Sequence, residues 1–219
     1  MQNLFDFVSL REAAYLSGIG YREMNRAIDE RILPDSAIVN KSGRRVVALA
    51  CALTRFYFQT APALSAEFRR RIVVWMAEQL LHKSVTRVAD PSRESMIFRE
   101  GQIRVDVAPF VEQTLAAFNA MRGFEARVVV DPEIRAGEPV LKGTRIPARV
   151  IAELVKAGEA TETLLEAYPS LTAAAVAAAV AYVETHPLRG RPSGMRDLAS
   201  SARVASRRVV KSSAQRKAG

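Results

Sequence analysis

The chain has 219 residues, a formal net charge of +9 and 49% hydrophobic residues. This composition suits one large or two small globular domains, and no apolar run approaches the length of a membrane span. The single cysteine, Cys51, cannot form an intrachain disulfide, which fits a reducing cytoplasm. Two histidines and one cysteine argue against a zinc site, which usually takes three or four nitrogen or sulfur ligands. We therefore expect a cytoplasmic protein with no metal or other cofactor.

The positive charge is concentrated near the C-terminal end of the sequence. Residues 187–219 contain nine basic side chains and one acidic side chain, so they carry +8 of the formal charge. Such a segment indicates an acidic partner, for which nucleic acid is the usual candidate. Gly190, Pro192 and Gly194 oppose helical order at its start. Apolar side chains recur among the charges: Met195, Leu198, Val204, Val209 and Val210.

Residues 7–33 have the pattern of two helices joined by a tight turn. Ser9 followed by Glu12 is a capping box, which predicts where the first helix begins. Gly18 predicts the turn, and a second helix is predicted over residues 21–31. The apolar positions of this second helix recur at helical spacing: Met24, Ala27 and Ile28.

The opposite face of the second predicted helix carries side chains suited to DNA. Arginine and asparagine bond bidentately to guanine and adenine edges in the major groove. Residues 37–39 and 46–49 predict a hairpin around a polar glycine turn, placed as a wing places phosphate contacts. This pattern resembles the winged helix-turn-helix of the MerR-like or excisionase-like kind; the alternative is a helix pair used only for protein packing. The candidate DNA-binding residues are Arg22, Asn25, Arg26, Lys41, Arg44 and Arg45.

Two further helices of the first domain and then a hairpin-helix connector follow. Two helices are predicted over residues 50–60 and 65–82, and the apolar stripe of the second indicates core packing rather than a ligand site. Residues 95–107 predict a hairpin with its turn at Glu100 and Gly101. Pro109 is predicted to open a helix that Gly123 closes as its C-cap.

A specific motif occupies the next part of the sequence. It reads DPEI at residues 131–134, GEPV at 137–140 and KGTRIP at 142–147, followed by Gly158 and YPSL at 168–171. These residues closely resemble the signature of the domain-of-unknown-function 433 family. The resemblance implies a small helix-turn-helix-like domain, common in bacterial antitoxins of the VapB type whose partner toxin resembles PIN-type ribonucleases.

Three helices are predicted in this second domain, over residues 148–157, 161–167 and 172–184, with Thr161 and Thr172 as N-caps. The last helix lacks charged and amide side chains between residues 173 and 183, so it cannot form hydrogen bonds to bases. We therefore expect this domain to pair with its own copy or to bind the toxin. Its remaining candidates for phosphate contacts are Lys142, Arg145 and Arg149.

The family resemblance also gives the basic tail a possible role. PIN-like nucleases hold metal ions with clustered carboxylates, and an antitoxin segment wrapped around the toxin inserts an arginine or lysine among them. The apolar side chains of the tail suit a segment that folds on a protein partner. A disordered extension that adds nonspecific DNA affinity is the alternative. The candidate toxin-binding residues are Arg196, Leu198, Arg203, Val204, Arg207 and Arg208.

The sequence thus predicts a mainly α fold with short β-hairpins. Two small helix-turn-helix-type domains, residues 1–85 and 126–186, are joined by a hairpin-helix connector, residues 86–125, and followed by the tail. The leading hypothesis is a dimeric antitoxin that binds operator DNA and a PIN-like ribonuclease toxin, forming a hetero-oligomer with it. A stand-alone dimeric transcription regulator is the alternative. A nuclease using Asp131 and Glu133 is a third hypothesis, but no catalytic motif supports an enzyme.

Overall fold

The structure, a computed structural model, describes residues 3–40, 43–82 and 96–187. Contacts between residues divide the chain into two units, Met1–His186 and Pro187–Gly219. The first unit is mainly helical with a few short antiparallel strand pairs, as the sequence predicts. Within the ranges described, no helix is long and apolar enough to cross a membrane.

The N-terminal part combines two helices with a three-stranded sheet. The elements are β1 (Phe7–Ser9), α1 (Leu10–Ser17), α2 (Tyr21–Asp29), β2 (Ile38–Val39) and β3 (Arg45–Val47). Both β1 and β2 pair antiparallel with β3, which places Val8 and Ile38 opposite Val46. The hairpin of β2 and β3 confirms the prediction, whereas β1 was not predicted. Its three residues end at Ser9, the N-cap of α1, and give no local strand signal, so β1 depends on its pairing with β3.

The next elements along the chain pack against one another and against α1. They are α3 (Cys51–Gln59), α4 (Ala66–Ala77), β4 (Ile97–Glu100) and β5 (Ile103–Asp106), with β4 and β5 forming an antiparallel hairpin. The Phe98 ring of β4 packs edge-on against Phe68 and Trp75 of α4, at centroid distances of 5.9 and 5.6 Å. The apolar stripe of α4 is therefore core, as expected.

The long helix α5 (Ala108–Glu125) corrects one prediction. Gly123 was expected to end the helix as its C-cap, but the helix continues to Glu125 and ends at Ala126. Phe124 explains the extension, because its buried ring packs edge-on against Tyr15 of α1 at 5.6 Å. This tertiary contact outweighs the weak helix propensity of a single glycine.

The last part of the first unit holds β6 (Val128–Val129), β7 (Val140–Leu141), α6 (Ala148–Lys156), α7 (Thr161–Ala167) and α8 (Ala173–Thr185). Strands β6 and β7 pair antiparallel. The Thr172 hydroxyl accepts a hydrogen bond from the Ala175 N–H, which confirms Thr172 as an N-cap. The Thr161 prediction is wrong, because α7 begins at Thr161 itself after Ala160, without a side-chain cap.

Helix α8 is shared between two hydrophobic clusters. Ala178 belongs to the large core formed by α1, α3, α4 and α5, while Val176 and Ala179 belong to a smaller core with α6 and α7. The alanines permit close approach to α5 and α6 within the same chain. The small residues of α8 are thus largely used for packing inside the chain, and of the alanines in this helix only Ala173, Ala174 and Ala177 are exposed.

Candidate nucleic-acid interface

Local contacts fix both the start of α1 and the turn that follows it. The Glu12 backbone N–H donates to Ser9 Oγ at 3.3 Å, and Glu12 Oε2 accepts from the Ser9 N–H at 2.5 Å, which completes the predicted capping box. Gly18 ends α1 in the left-handed region, at φ 61°. A Cβ at Gly18 would lie 3.1 Å from the Arg55 guanidinium, so both conformation and space favour glycine here.

Helix α2 has one buried face and one polar face. Met24 and Ala27 are fully buried in the large core, whereas Arg22, Arg26 and Asp29 are exposed. The helix begins at Tyr21, and the Gly20 N–H donates to the Glu23 carboxylate at 2.7 Å. The hydrophobic spacing read from the sequence is therefore confirmed, and it leaves the predicted base-reading side chains on the side away from the core.

The β2–β3 hairpin lies beside the polar face of α2. Arg44 Nη1 is 2.8 Å from Asp29 Oδ1 and donates to Asn25 Oδ1 at 3.4 Å. The structure thus brings Arg44, from the turn of the hairpin, into contact with two side chains of α2. Together these elements form one polar surface, which we call the α2–hairpin surface. It consists of Arg22, Asn25, Arg26, Asp29 and Arg44.

Several of the candidate DNA-binding side chains have partners within the chain. Arg26 Nε is 2.6 Å from Glu30 Oε1, and this hydrogen bond raises the pKa of Arg26. Asn25 Nδ2 donates to the Tyr21 carbonyl at 2.9 Å. The side chains of Arg22 and Arg45 are exposed and form no hydrogen bond or ion pair with the residues that the structure describes. Lys41 lies outside the described residues, as do the six candidate toxin-binding residues from Arg196 to Arg208.

The motif region around residue 131 is held by its own polar contacts. Asp131 Oδ1 accepts a hydrogen bond from the Glu133 N–H at 2.9 Å, a local bond that aspartate commonly forms in turns. The Glu138 carboxylate lies 2.8 Å from Arg135 Nε and 3.7 Å from Arg149 Nη2. Lys142 and Arg145 are exposed, so two of the three candidate phosphate contacts of this region are accessible.

A second polar cluster was not foreseen from the sequence. Glu12 of α1, Glu125 of α5 and His186, which follows α8, place one ligand atom each within 4.8 Å of one another. His186 Nε2 is 3.3 Å from Glu12 Oε1 and 4.0 Å from Glu125 Oε1. These residues are far apart in sequence, and no local spacing could have signalled that they meet.

The environment shifts the proton affinities of the three groups. The contact with Glu12 raises the pKa of His186 against the opposing effect of burial. Burial raises the pKa of Glu12, but hydrogen bonds from His186 and Ser9 outweigh it and hold that pKa below its ordinary value. Burial, together with the negative charge of Glu12, raises the pKa of Glu125.

The sole cysteine has no accessible chemistry. Cys51 is fully buried at the start of α3, and burial raises the pKa of its thiol to about 12. A buried thiol in its neutral form behaves as a small apolar side chain. Cys51 therefore belongs to the core and not to a reactive site.

Comparison with known proteins gives two matches. The family model described as a protein of unknown function (DUF433) matches residues 128–183, about a quarter of the chain. The chain is also 35% identical over 211 residues to the "Uncharacterized protein y4eO" of Sinorhizobium fredii (strain NBRC 101917 / NGR234), across 96% of this chain and 95% of that protein. The chain belongs to the same family as y4eO. No solved structure matches it.

The two matches cover different parts of the chain. The DUF433 match contains β6 to α8 up to residue 183, and it confirms the resemblance read from the DPEI, GEPV and KGTRIP motifs. The similarity to y4eO extends over nearly the whole chain, so it includes most of the region before residue 128 as well. The family that this chain shares with y4eO is therefore defined by more than its DUF433 segment.

Proposed function

We propose that this protein is the antitoxin of a type II toxin-antitoxin system. Its N-terminal part acts as a winged helix-turn-helix of the MerR-like kind, with α2 entering the major groove of operator DNA and the β2–β3 hairpin contacting phosphates. Its C-terminal part neutralises a PIN-like ribonuclease toxin. The protein forms a homodimer, represses its own operon and assembles with the toxin into a hetero-oligomer.

The proposal that the N-terminal part binds DNA rests on the contact of the β2–β3 hairpin with α2. Arg44 reaches Asn25 and Asp29, so helix and hairpin share one surface on the side away from the core. A recognition helix with an adjacent wing needs this arrangement, because the wing must meet the backbone beside the groove that the helix occupies. Exposed Arg22 and Arg45 add positive charge that is not neutralised within the described residues.

Support for the toxin-binding part comes from the sequence and the family match. The DUF433 segment resembles domains of antitoxins, and the +8 tail that follows it combines charge with apolar anchors. An arginine placed among the metal-binding carboxylates of a nuclease forms charge-assisted hydrogen bonds worth about 1.5–3 kcal/mol each. Arg203, Arg207 and Arg208 are the candidates for that insertion.

Arg22→Ala is expected to weaken binding to the DNA upstream of the chain's own gene by about 1–3 kcal/mol, the usual contribution of an arginine that contacts a base. Arg45→Ala is expected to lower the slope of log K against log salt concentration by about 1, because one phosphate contact is lost. Fluorescence anisotropy with labelled duplex at several salt concentrations measures both quantities.

The matched control for these variants is Arg135→Ala. Arg135 is also an exposed arginine, but it lies in the DUF433 segment and is paired with Glu138. We expect this variant to bind with unchanged affinity and salt slope. If Arg22→Ala and Arg45→Ala also bind like the unmodified chain, the α2–hairpin surface does not contact DNA.

Removal of the tail tests the toxin-binding part. Co-expression of the full chain with the product of its adjacent gene is expected to yield a stable complex without ribonuclease activity. A chain that lacks residues 187–219 is expected to leave the ribonuclease active while it still binds the upstream DNA. RNA cleavage by the purified partner, with and without each chain, measures the difference.

A second variant separates the tail's charge from its apolar anchors. With Arg203, Arg207 and Arg208 replaced by glutamine, the apolar side chains remain, so we expect the complex to form but inhibition to fail. Inhibition that persists in both variants would place the inhibitory contact outside the tail. Absence of any complex, with DNA binding intact, would instead indicate a stand-alone transcription regulator.

A further inference from the structure

Glu12, Glu125 and His186 come from three separate elements and meet at one point. Glu12 is in the first turn of α1, Glu125 is the last residue of α5, and His186 is the C-cap of α8. Glu12 is 7% exposed, while the other two side chains are half-buried. The ion pairs of the described residues bring no lysine or arginine into contact with these three groups.

The hydrogen bonds of His186 determine which ring nitrogen carries the proton. Nδ1 lies 3.2 Å from the Tyr182 carbonyl oxygen and 2.9 Å from Thr185 Oγ1. The Thr185 hydroxyl donates to backbone carbonyls of α8 at 3.0 Å, so its oxygen accepts from the ring. Nδ1 therefore bears the hydrogen, and the neutral ring directs the lone pair of Nε2 towards the two carboxylates. The ring is held in place by stacking on Tyr182, at a centroid distance of 4.3 Å.

A positive charge among these three groups would stabilise their convergence. A lone pair and two carboxylate oxygens repel each other in a partly buried place, where the screening by water is weak. The C-terminal ends of α5 and α8 add the negative ends of two helix dipoles. The remaining question is whether the positive charge is a proton on Nε2 or a metal ion between the three atoms.

The distances are also compatible with an ion. A charged N–H···O bond is about 2.7–2.9 Å long, whereas Nε2 is 3.3 and 4.0 Å from the two carboxylate oxygens. Two ligands at about 2.0–2.1 Å from one tetrahedral ion lie about 3.3 Å apart. The Glu12–His186 separation has this value, whereas Glu125 Oε1, at 4.0 Å from Nε2, must move closer to bind the same ion.

We propose that Glu12, Glu125 and His186 bind a divalent transition-metal ion of the zinc class. Glu12 Oε1, Glu125 Oε1 and His186 Nε2 supply three ligands, and water completes the coordination. The Tyr182 carbonyl fixes the ring, as second partners of metal-bound histidines commonly do, and the Ser9 N–H holds the other oxygen of Glu12. Bound there, the ion joins α1, α5 and the residue that ends the first unit. This proposal departs from the expectation of no zinc site, which counted only histidines and cysteines.

The test uses the full chain, stripped with a chelator and dialysed, and measures its Tm with ZnCl2, CoCl2 or MgCl2. Free Zn²⁺ at about 100 times its Kd is expected to raise Tm by about 5–10 °C, with one equivalent bound. Mg²⁺ is expected to have no such effect, because it prefers all-oxygen octahedral sites. Glu125→Gln is expected to abolish the Zn²⁺-dependent rise.

Two controls keep the result decisive. His82→Gln alters the other histidine of the sequence and must leave the rise intact. The visible spectrum of Co²⁺ bound to the unmodified chain must show nitrogen and oxygen ligation without a thiolate band, which tests the site even if Glu125→Gln does not fold. No rise in the unmodified chain, a rise that survives in Glu125→Gln, or a thiolate band from Cys51 would each overturn the proposal.

Discussion

Replacing Ala179 with glutamate is expected to destabilise the protein by about 3–5 kcal/mol, the usual consequence of leaving a charge buried without a partner. Ala179 is 0% exposed and lies where α8 packs against the smaller core. Glutamate and alanine both favour helices, so the loss of stability measures the burial of residue 179 and not a change in the helix propensity of α8. The shift of the urea midpoint, at an unchanged m value, measures it.

Ala177→Glu is the matched control for this substitution. Ala177 lies two residues earlier in the same alanine run, but its side chain is exposed. The same chemical change is expected to alter the free energy of unfolding by less than about 0.5 kcal/mol there. Equal losses at both positions would show that α8 does not pack in the orientation described above.

Replacing Phe56 with alanine is expected to cost a similar amount, about 3–5 kcal/mol, through lost apolar contact and the cavity left behind. Phe56 lies in α3, is 0% exposed and meets Phe110 of α5 edge-on at 5.2 Å. The contact joins the N-terminal part of the chain to α5, so the loss should appear as one cooperative shift in thermal or urea unfolding.

Phe56→Leu provides the graded comparison. Leucine retains much of the buried volume, so we expect a smaller loss than for alanine and an unchanged fold by circular dichroism. A loss below about 1 kcal/mol for Phe56→Ala would mean that the surrounding side chains collapse into the space, or that α3 and α5 do not pack through this ring.

Local signals in the sequence located most of the helices correctly. The Ser9–Glu12 capping box, the glycine turn at Gly18 and the Thr172 N-cap each satisfy backbone groups within a few residues, so neighbouring residues suffice to predict them. The polar face of α2 followed in the same way from helical spacing. Gly123 shows the limit, because its local signal was overruled by the packing of Phe124 against Tyr15.

The two candidate sites differ in how far the sequence could predict them. The residues of the α2–hairpin surface could be named in advance, but their pairing with Asp29 and Glu30 could not, since side-chain partners across a surface depend on how the hairpin turns. The cluster of Glu12, Glu125 and His186 was not predicted at all. Each of the three residues belongs to a different helix or helix end, and their side chains come together only once α1, α5 and α8 have packed.

What the sequence determined by itself was the set of helices, their apolar faces and the DUF433 motif, because these features arise from hydrogen bonds and periodicities within short segments. What only the tertiary structure decided was where α8 goes. Its small residues permit close approach to any helix, and the choice of α5, α6 and α1 depends on the shape of two cores assembled from distant parts of the chain. That choice also brings His186 to the two carboxylates.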